Sequence, residues 1–89
     1  MQHSLIVVGG HASWVKQMER RIPGLTIFSD GRLPDARTIK NVNAVWFQTN
    51  ALTHKEYLWV KEQAKKYRTA VCYFRTAGAE SCAAQLREA

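Results

Sequence analysis

Cysteine is scarce in this chain. Cys72 and Cys82 are its two cysteines, with no metal-ligand spacing between them, so neither a disulfide framework nor a thiolate metal site is expected and both read as reduced structural thiols. Long apolar runs are missing too: nothing approaches the roughly 18–20 residues that span a membrane. The opening Met1-Gln2-His3 lacks the positive charge and cleavage site of a secretory signal, which predicts a cytoplasmic protein. Neither a G-x-G-x-x-G fingerprint nor a G-x-x-x-x-G-K-[ST] loop occurs, which disfavours an ordinary NAD site and a P-loop. There is no Ser-His-Asp or Cys-His arrangement that would supply a nucleophile, and no set of metal ligands. Acidic residues are few: seven Asp and Glu stand against thirteen Lys and Arg, for a net charge of +6 in 89 residues. That balance raises a polyanion, nucleic acid included, as a partner. The length sets a single domain over residues 1–89 with one modest core.

The most informative stretch is Ile6-Val7-Val8-Gly9-Gly10-His11. Leu5 to Val8 is apolar without alternation, as in a strand covered on both faces, the situation of a parallel sheet. Gly9-Gly10 then permits a sharp turn and a close backbone approach, and Ser13 is the predicted N-cap of the helix that follows. In that helix Trp14, Met18 and Ile22 recur at i, i+4 and i+8, and Pro23-Gly24 stops it. Leu25–Ser29 reads as a second strand ending in the turn Asp30-Gly31. Pro34 is placed in the first turn of a short helix reaching about Lys40, with Leu33 and Ile39 buried. Ala44–Phe47 is the third strand. Thr53, with Glu56 three residues on, forms a capping box for a helix to about Tyr67, whose Tyr57, Val60, Ala64 and Tyr67 face the sheet. Ala70–Phe74 is the fourth strand, and a last helix covers about Ala79 to Arg87.

Alternating strands and helices of this kind give an α/β fold: a small, open, parallel four-stranded sheet, order 2-1-3-4, with helices on both faces in a Rossmann-like three-layer arrangement. Ligands in such sheets lie beyond the carboxyl ends of the strands, near the point where the strand order reverses. Four polar turns follow the four strands. They nominate Gly9, Gly10, His11, Asp30, Gly31, Asn50, His54, Arg75, Thr76 and Gly78 as ligand-binding residues. The glycine turn and the helix start behind it favour an anion. His11 and His54 are acid-base groups or ligands, or else cap their helices and face water. Asp30 holds a ribose hydroxyl, or simply makes an Asp-Gly turn. Arg75 clamps a phosphate or carboxylate, or pairs with Asp30 or Glu80. A second surface lies on the third helix, where His54, Leu58, Lys61, Lys65 and Arg68 share one face with Lys66 nearby; this stripe could grip a phosphate backbone. Trp59 falls off the core face beside Leu58 and suggests a subunit interface, so homo-oligomerisation through this face or through an edge strand is expected.

Ile6-Val7-Val8-Gly9-Gly10, Ser29-Asp30-Gly31, Thr53-His54 and Phe74-Arg75-Thr76-Ala77-Gly78 together resemble the landmarks of the bacterial family called domain of unknown function 2325. The resemblance covers nearly the whole chain and rests on the order and spacing of short motifs. Ser29 stands where that family has His. It implies a small bacterial α/β domain with these edge residues, and it brings no activity with it. The expectation from the residues is therefore a non-catalytic or regulatory domain that binds a nucleotide or other phosphate-containing anion. The alternative is a nucleic-acid-binding accessory protein using Lys61, Lys65, Lys66 and Arg68.

Overall fold

The structure is a computed structural model that describes residues 4–88. Met1, Gln2 and His3, whose character speaks against a secretory signal, lie outside the described residues. The elements run β1 (Leu5–Gly9), α1 (Ala12–Arg21), β2 (Ile27–Phe28), α2 (Ala36–Asn41), β3 (Ala44–Gln48), a 3-10 turn (Thr49–Ala51), α3 (His54–Lys66), β4 (Ala70–Tyr73) and α4 (Ala79–Glu88). The four strands form one open, parallel sheet in the order β2-β1-β3-β4. Among the described residues no helix is long and apolar enough to cross a membrane.

The unbroken apolar character of β1 and β3 follows from their central place. Side chains alternate between the two faces of a strand, and here both faces are covered. Val7 and Trp46, which pair across the strands, pack with Trp14 and Met18 of α1 and with Cys82, Ala83 and Leu86 of α4. Ile6, Val8, Val45 and Phe47 point the other way, onto Ile39 of α2 and Val60 and Ala64 of α3. Phe47, Met18, Ile39 and Val60 are among the fully buried side chains, and each contributes about 1.5–3 kcal/mol relative to exposure. Tyr57 and Tyr67 are only half-buried at the margins of the α3 stripe.

Several boundaries differ from the sequence expectation. Ser13 does not cap α1. The cap is His11, in extended backbone geometry, and the helix begins at Ala12, because the positive φ of Gly10 turns the chain two residues earlier. Pro34 is not in the first turn of α2. It is buried just ahead of the cap Asp35, whose side chain accepts from the Thr38 N–H at 2.8 Å and so fixes where the helix starts. That bond holds the Asp35 carboxyl below its ordinary pKa. The second strand shrinks from Leu25–Ser29 to Ile27–Phe28. It is an edge strand, and the chain leaves it through Asp30 and Gly31, both at positive φ. The third strand gains Gln48, and the fourth stops at Tyr73. The Thr53–Glu56 capping box forms as expected.

The far end of α3 places Arg68 off the helical stripe. Arg68 has φ 58, donates its N–H to Lys65, and is followed by Thr69 donating to Ala64. This double bond pattern is a Schellman stop, with arginine where glycine is usual.

Candidate functional site

The end of β1 is shaped first by packing. Gly9 lies opposite Gln48 of β3, and a Cβ on it would stand 1.9 Å from the Gln48 carbonyl oxygen. A Cβ on Gly10 would meet the Trp14 ring at 2.4 Å. The glycine pair thus lets β1 and β3 meet closely and lets Trp14 fold under the turn. A second result is that α1 begins immediately, with no side-chain acceptor from His11. Its first N–H groups have no intrahelical partner, and the positive end of the helix dipole faces out there.

Beside that helix start is a cleft of about 700 Å³. The β1 turn supplies Gly10 and His11, and the β2 turn supplies Ser29, Asp30, Gly31 and Arg32. One side of α1 adds Lys16 and Glu19, and the segment after β3 adds Ala51, Thr53 and Glu56. The cleft holds charge of both signs. Lys16 and Arg32 lie with Asp30, Glu19 and Glu56, and the Glu56 carboxylate already accepts from the Thr53 N–H at 2.9 Å. Such a lining suits a ligand carrying both an anionic group and hydroxyls more than a bare anion.

Of the residues nominated from sequence, Gly10, His11, Asp30 and Gly31 line this cleft, with Gly9 buried behind them. Asn50 is exposed in the 3-10 turn and His54 is the exposed first residue of α3; neither lines the cleft. Arg75, Thr76 and Gly78 belong to a separate corner. The Arg75 N–H donates to Gln85 Oε1 at 2.8 Å, Gln85 Nε2 donates to Thr76 Oγ1 at 3.1 Å, and Cys82 Sγ donates to the Thr76 carbonyl at 3.2 Å. The β4 turn is therefore fastened to α4. Gly78 has open space around it and accepts the Cys82 N–H.

Sequence reasoning missed Lys16, Glu19 and Arg32. Ala12, Val15, Lys16 and Glu19 recur at i, i+3, i+4 and i+7, which marks the side of α1 turned toward the β2 turn. It also missed Gln85, a polar residue among the packing positions of α4, and Gln48. The Gln48 side chain is 6% exposed and its Nε2 is buried without a hydrogen-bond partner.

No group of three or more His, Cys, Asp or Glu among the described residues could hold a metal. Burial pushes the thiols of both Cys72 and Cys82 up, away from the reactive thiolate. The perturbed pair lies elsewhere, where the Tyr57 and Tyr73 hydroxyls meet at 2.5 Å on the outer flank of the sheet. Tyr57 is lowered chiefly by the Tyr73 hydroxyl, with Lys61 assisting, whereas Tyr73 is pushed up to about 12 by the same bond and by burial.

Of the cations of the alternative surface, Lys61 and Lys65 stay one turn apart on α3, whereas Lys66 and Arg68 fall off that line. Lys61 lies over the Tyr57 ring, 5.5 Å from its centroid, on the flank next to β4. Lys66 lies over Tyr67 at 5.4 Å, with Lys40 at 6.0 Å from the same ring. Arg68 has left the helix.

No family model, curated protein or solved structure matches this chain.

Proposed function

We propose that this chain is a non-catalytic, regulatory nucleotide-binding domain whose site is the cleft between the β1, β2 and β3 turns. The observation that supports the reading is one volume of about 700 Å³ bordered by the uncapped start of α1, by the cations Lys16 and Arg32, and by the carboxylates Asp30, Glu19 and Glu56. Phosphate oxygens accept from the first N–H groups of α1 and pair with Lys16 and Arg32. The Asp30 carboxylate, at the end of the strand next to β1, accepts from sugar hydroxyls, the role that an acidic residue at this place has in nucleotide-binding sheets. Arg75 has no part in this assignment. The reading takes the protein as cytoplasmic and as kin of the domain of unknown function 2325 family. It also takes the protein as self-associating through Trp59, 37% exposed beside a hollow it shares with Leu33 and Pro34.

The test is a thermal-shift and calorimetric screen of mononucleotides against inorganic phosphate. A nucleotide at about a hundred times its Kd stabilises the folded state by about 2.7 kcal/mol, a rise in Tm of about 10 °C or more for a domain of this size. Asp30→Ala should weaken nucleotide binding and spare phosphate binding, and Lys16→Ala should weaken both. The proposal is refuted if no nucleotide raises Tm, or if Asp30→Ala binds nucleotide as well as the parent.

A further inference from the structure

The cleft does not end at Lys16. The same lysine also borders a second depression, of about 570 Å³, that runs along the outer face of α1 and is lined by Ser13, Lys16, Gln17, Arg20 and Arg21. No acidic side chain lines it. Glu19 falls on the other side of α1, facing the cleft. The helical period explains the separation: residues 13, 16, 17, 20 and 21 recur at i, i+3, i+4, i+7 and i+8, one broad stripe. At the C-terminal end of that stripe Arg87 of α4 donates from Nη2 to the Arg21 carbonyl at 2.9 Å, which brings another guanidinium beside it.

We infer that the cleft and the α1 trough form one continuous site for a single-stranded oligonucleotide, with one nucleotide seated in the cleft and the following phosphates lying along Lys16, Arg20 and Arg21. The inference rests on the nucleotide reading of the cleft and extends it. A rise of 1.5 Å per residue puts Arg20 about 12 Å along the helix from Ala12. A single phosphate at the helix start cannot reach that far, whereas a chain of linked nucleotides does. Ser13 and Gln17 supply neutral donors between the cations, as phosphate tracks commonly do. The trough is lined by residues of a single helix, none of them aromatic. It therefore contacts the backbone and leaves base recognition to the cleft.

The experiment is fluorescence anisotropy on the full chain with a mononucleotide, a dinucleotide, an oligonucleotide of about eight residues, a duplex of the same sequence, and inorganic polyphosphate. Affinity should rise from mononucleotide to dinucleotide to oligonucleotide. For three or four phosphate contacts, log K should fall against log salt with a slope of about −2 to −3. Arg20→Ala combined with Arg21→Ala changes only exposed side chains and favours helix. It should lower the oligonucleotide slope by about 1–2 and leave mononucleotide binding within about twofold. Lys61→Ala combined with Lys65→Ala should change neither. Equal affinity for mononucleotide and oligonucleotide, or an oligonucleotide slope untouched by the arginine variant, overturns the continuous site and leaves the cleft reading standing. Oligonucleotide binding with no mononucleotide binding and no response to Asp30→Ala overturns the cleft reading, and the path through it falls as well. Polyphosphate or duplex binding as tight as the single strand overturns the assignment of the ligand class.

Discussion

Replacing Gly9 with alanine tests the geometry that shapes the carboxyl end of β1 and the cleft beside it. The added methyl would lie 1.9 Å from the carbonyl oxygen of Gln48, where ordinary contacts lie beyond 3.4 Å, and the neighbour is backbone of the central strand pair. Relief requires β1 and β3 to part by more than an ångström at their carboxyl ends, or the turn to take a different path. The backbone of Gly9, at φ 103, adds strain of its own. Left-handed backbone costs an L-residue about 1–2 kcal/mol, and overpacking a close-packed site costs about 1–3 kcal/mol. Together they give a loss of about 2–5 kcal/mol, a large share of the 5–15 kcal/mol that holds a typical domain together. At about 4–8 °C per kcal/mol for 60–100 residues, Tm should fall by at least about 8 °C. Gly31→Ala is the control. It also has positive φ, but nothing lies within 4 Å of the added methyl, so only the backbone strain remains. Gly78→Ala, with open space and no positive φ, should leave Tm unchanged or raise it slightly. Differential scanning calorimetry on the three variants reads the series directly. If Gly9→Ala loses no more than Gly31→Ala, the close approach of β1 and β3 is not what requires glycine, and the account of the turn is wrong.

Two further outcomes follow from local geometry. Arg68→Gly relieves the positive φ at the Schellman stop of α3 and should raise stability in chemical denaturation by about 0.5–1 kcal/mol; a loss would mean that the Arg68 side chain has a contact role that its exposure conceals. In a phenolate absorbance titration Tyr57 should ionise below the ordinary value of 10 and Tyr73 near about 12. The contact between the two hydroxyls lowers Tyr57 and raises Tyr73, so Tyr73→Phe should move the Tyr57 midpoint upward. Stability therefore gains from Tyr57 as pH rises from its lowered pKa to 10, and what Tyr73 contributes below 10 is lost as pH rises to about 12. An unmoved Tyr57 midpoint in Tyr73→Phe would refute the coupling of the two hydroxyls.

The sheet was legible in the sequence because β1 and β3 are buried on both faces, and Ile6–Val8 and Val45–Phe47 say so without alternation. The second strand was harder. Ile27 and Phe28 are only half-buried at an edge, and the residues around them pair with nothing that sequence could weigh. The start of α3 was legible through the Thr53–Glu56 capping box; that of α1 was misplaced because backbone geometry alone decides it at Gly10-His11, and that of α2 because Pro34 was read as helical ahead of the Asp35 cap. The site was half legible. Turns after adjacent strands meet, so His11 and Asp30 were found together. The β4 turn was grouped with them although the order β2-β1-β3-β4 sets β3 between it and β1. The cations that do reach the cleft, Lys16 and Arg32, follow from helix phase and from the course of the β2 turn after the positive-φ pair.

The strand order also governs how the chain comes together in time. No two strands are joined by a hairpin, since every pairing is parallel and each needs a helix to be in place first. While the chain is being synthesised, β1 meets β2 first, and that pair joins only Val7 with Ile27 and Val8 with Phe28. The five-residue pairing that anchors β1 waits for β3, from Ala44 to Gln48, to emerge. Until then Ile6, Val7 and Val8 have one flank without a strand partner. The domain is therefore completed late and as a unit, at the cost of slow, non-local pairing. A nicked or truncated chain that ends before Ala44 should lose the whole sheet rather than part of it.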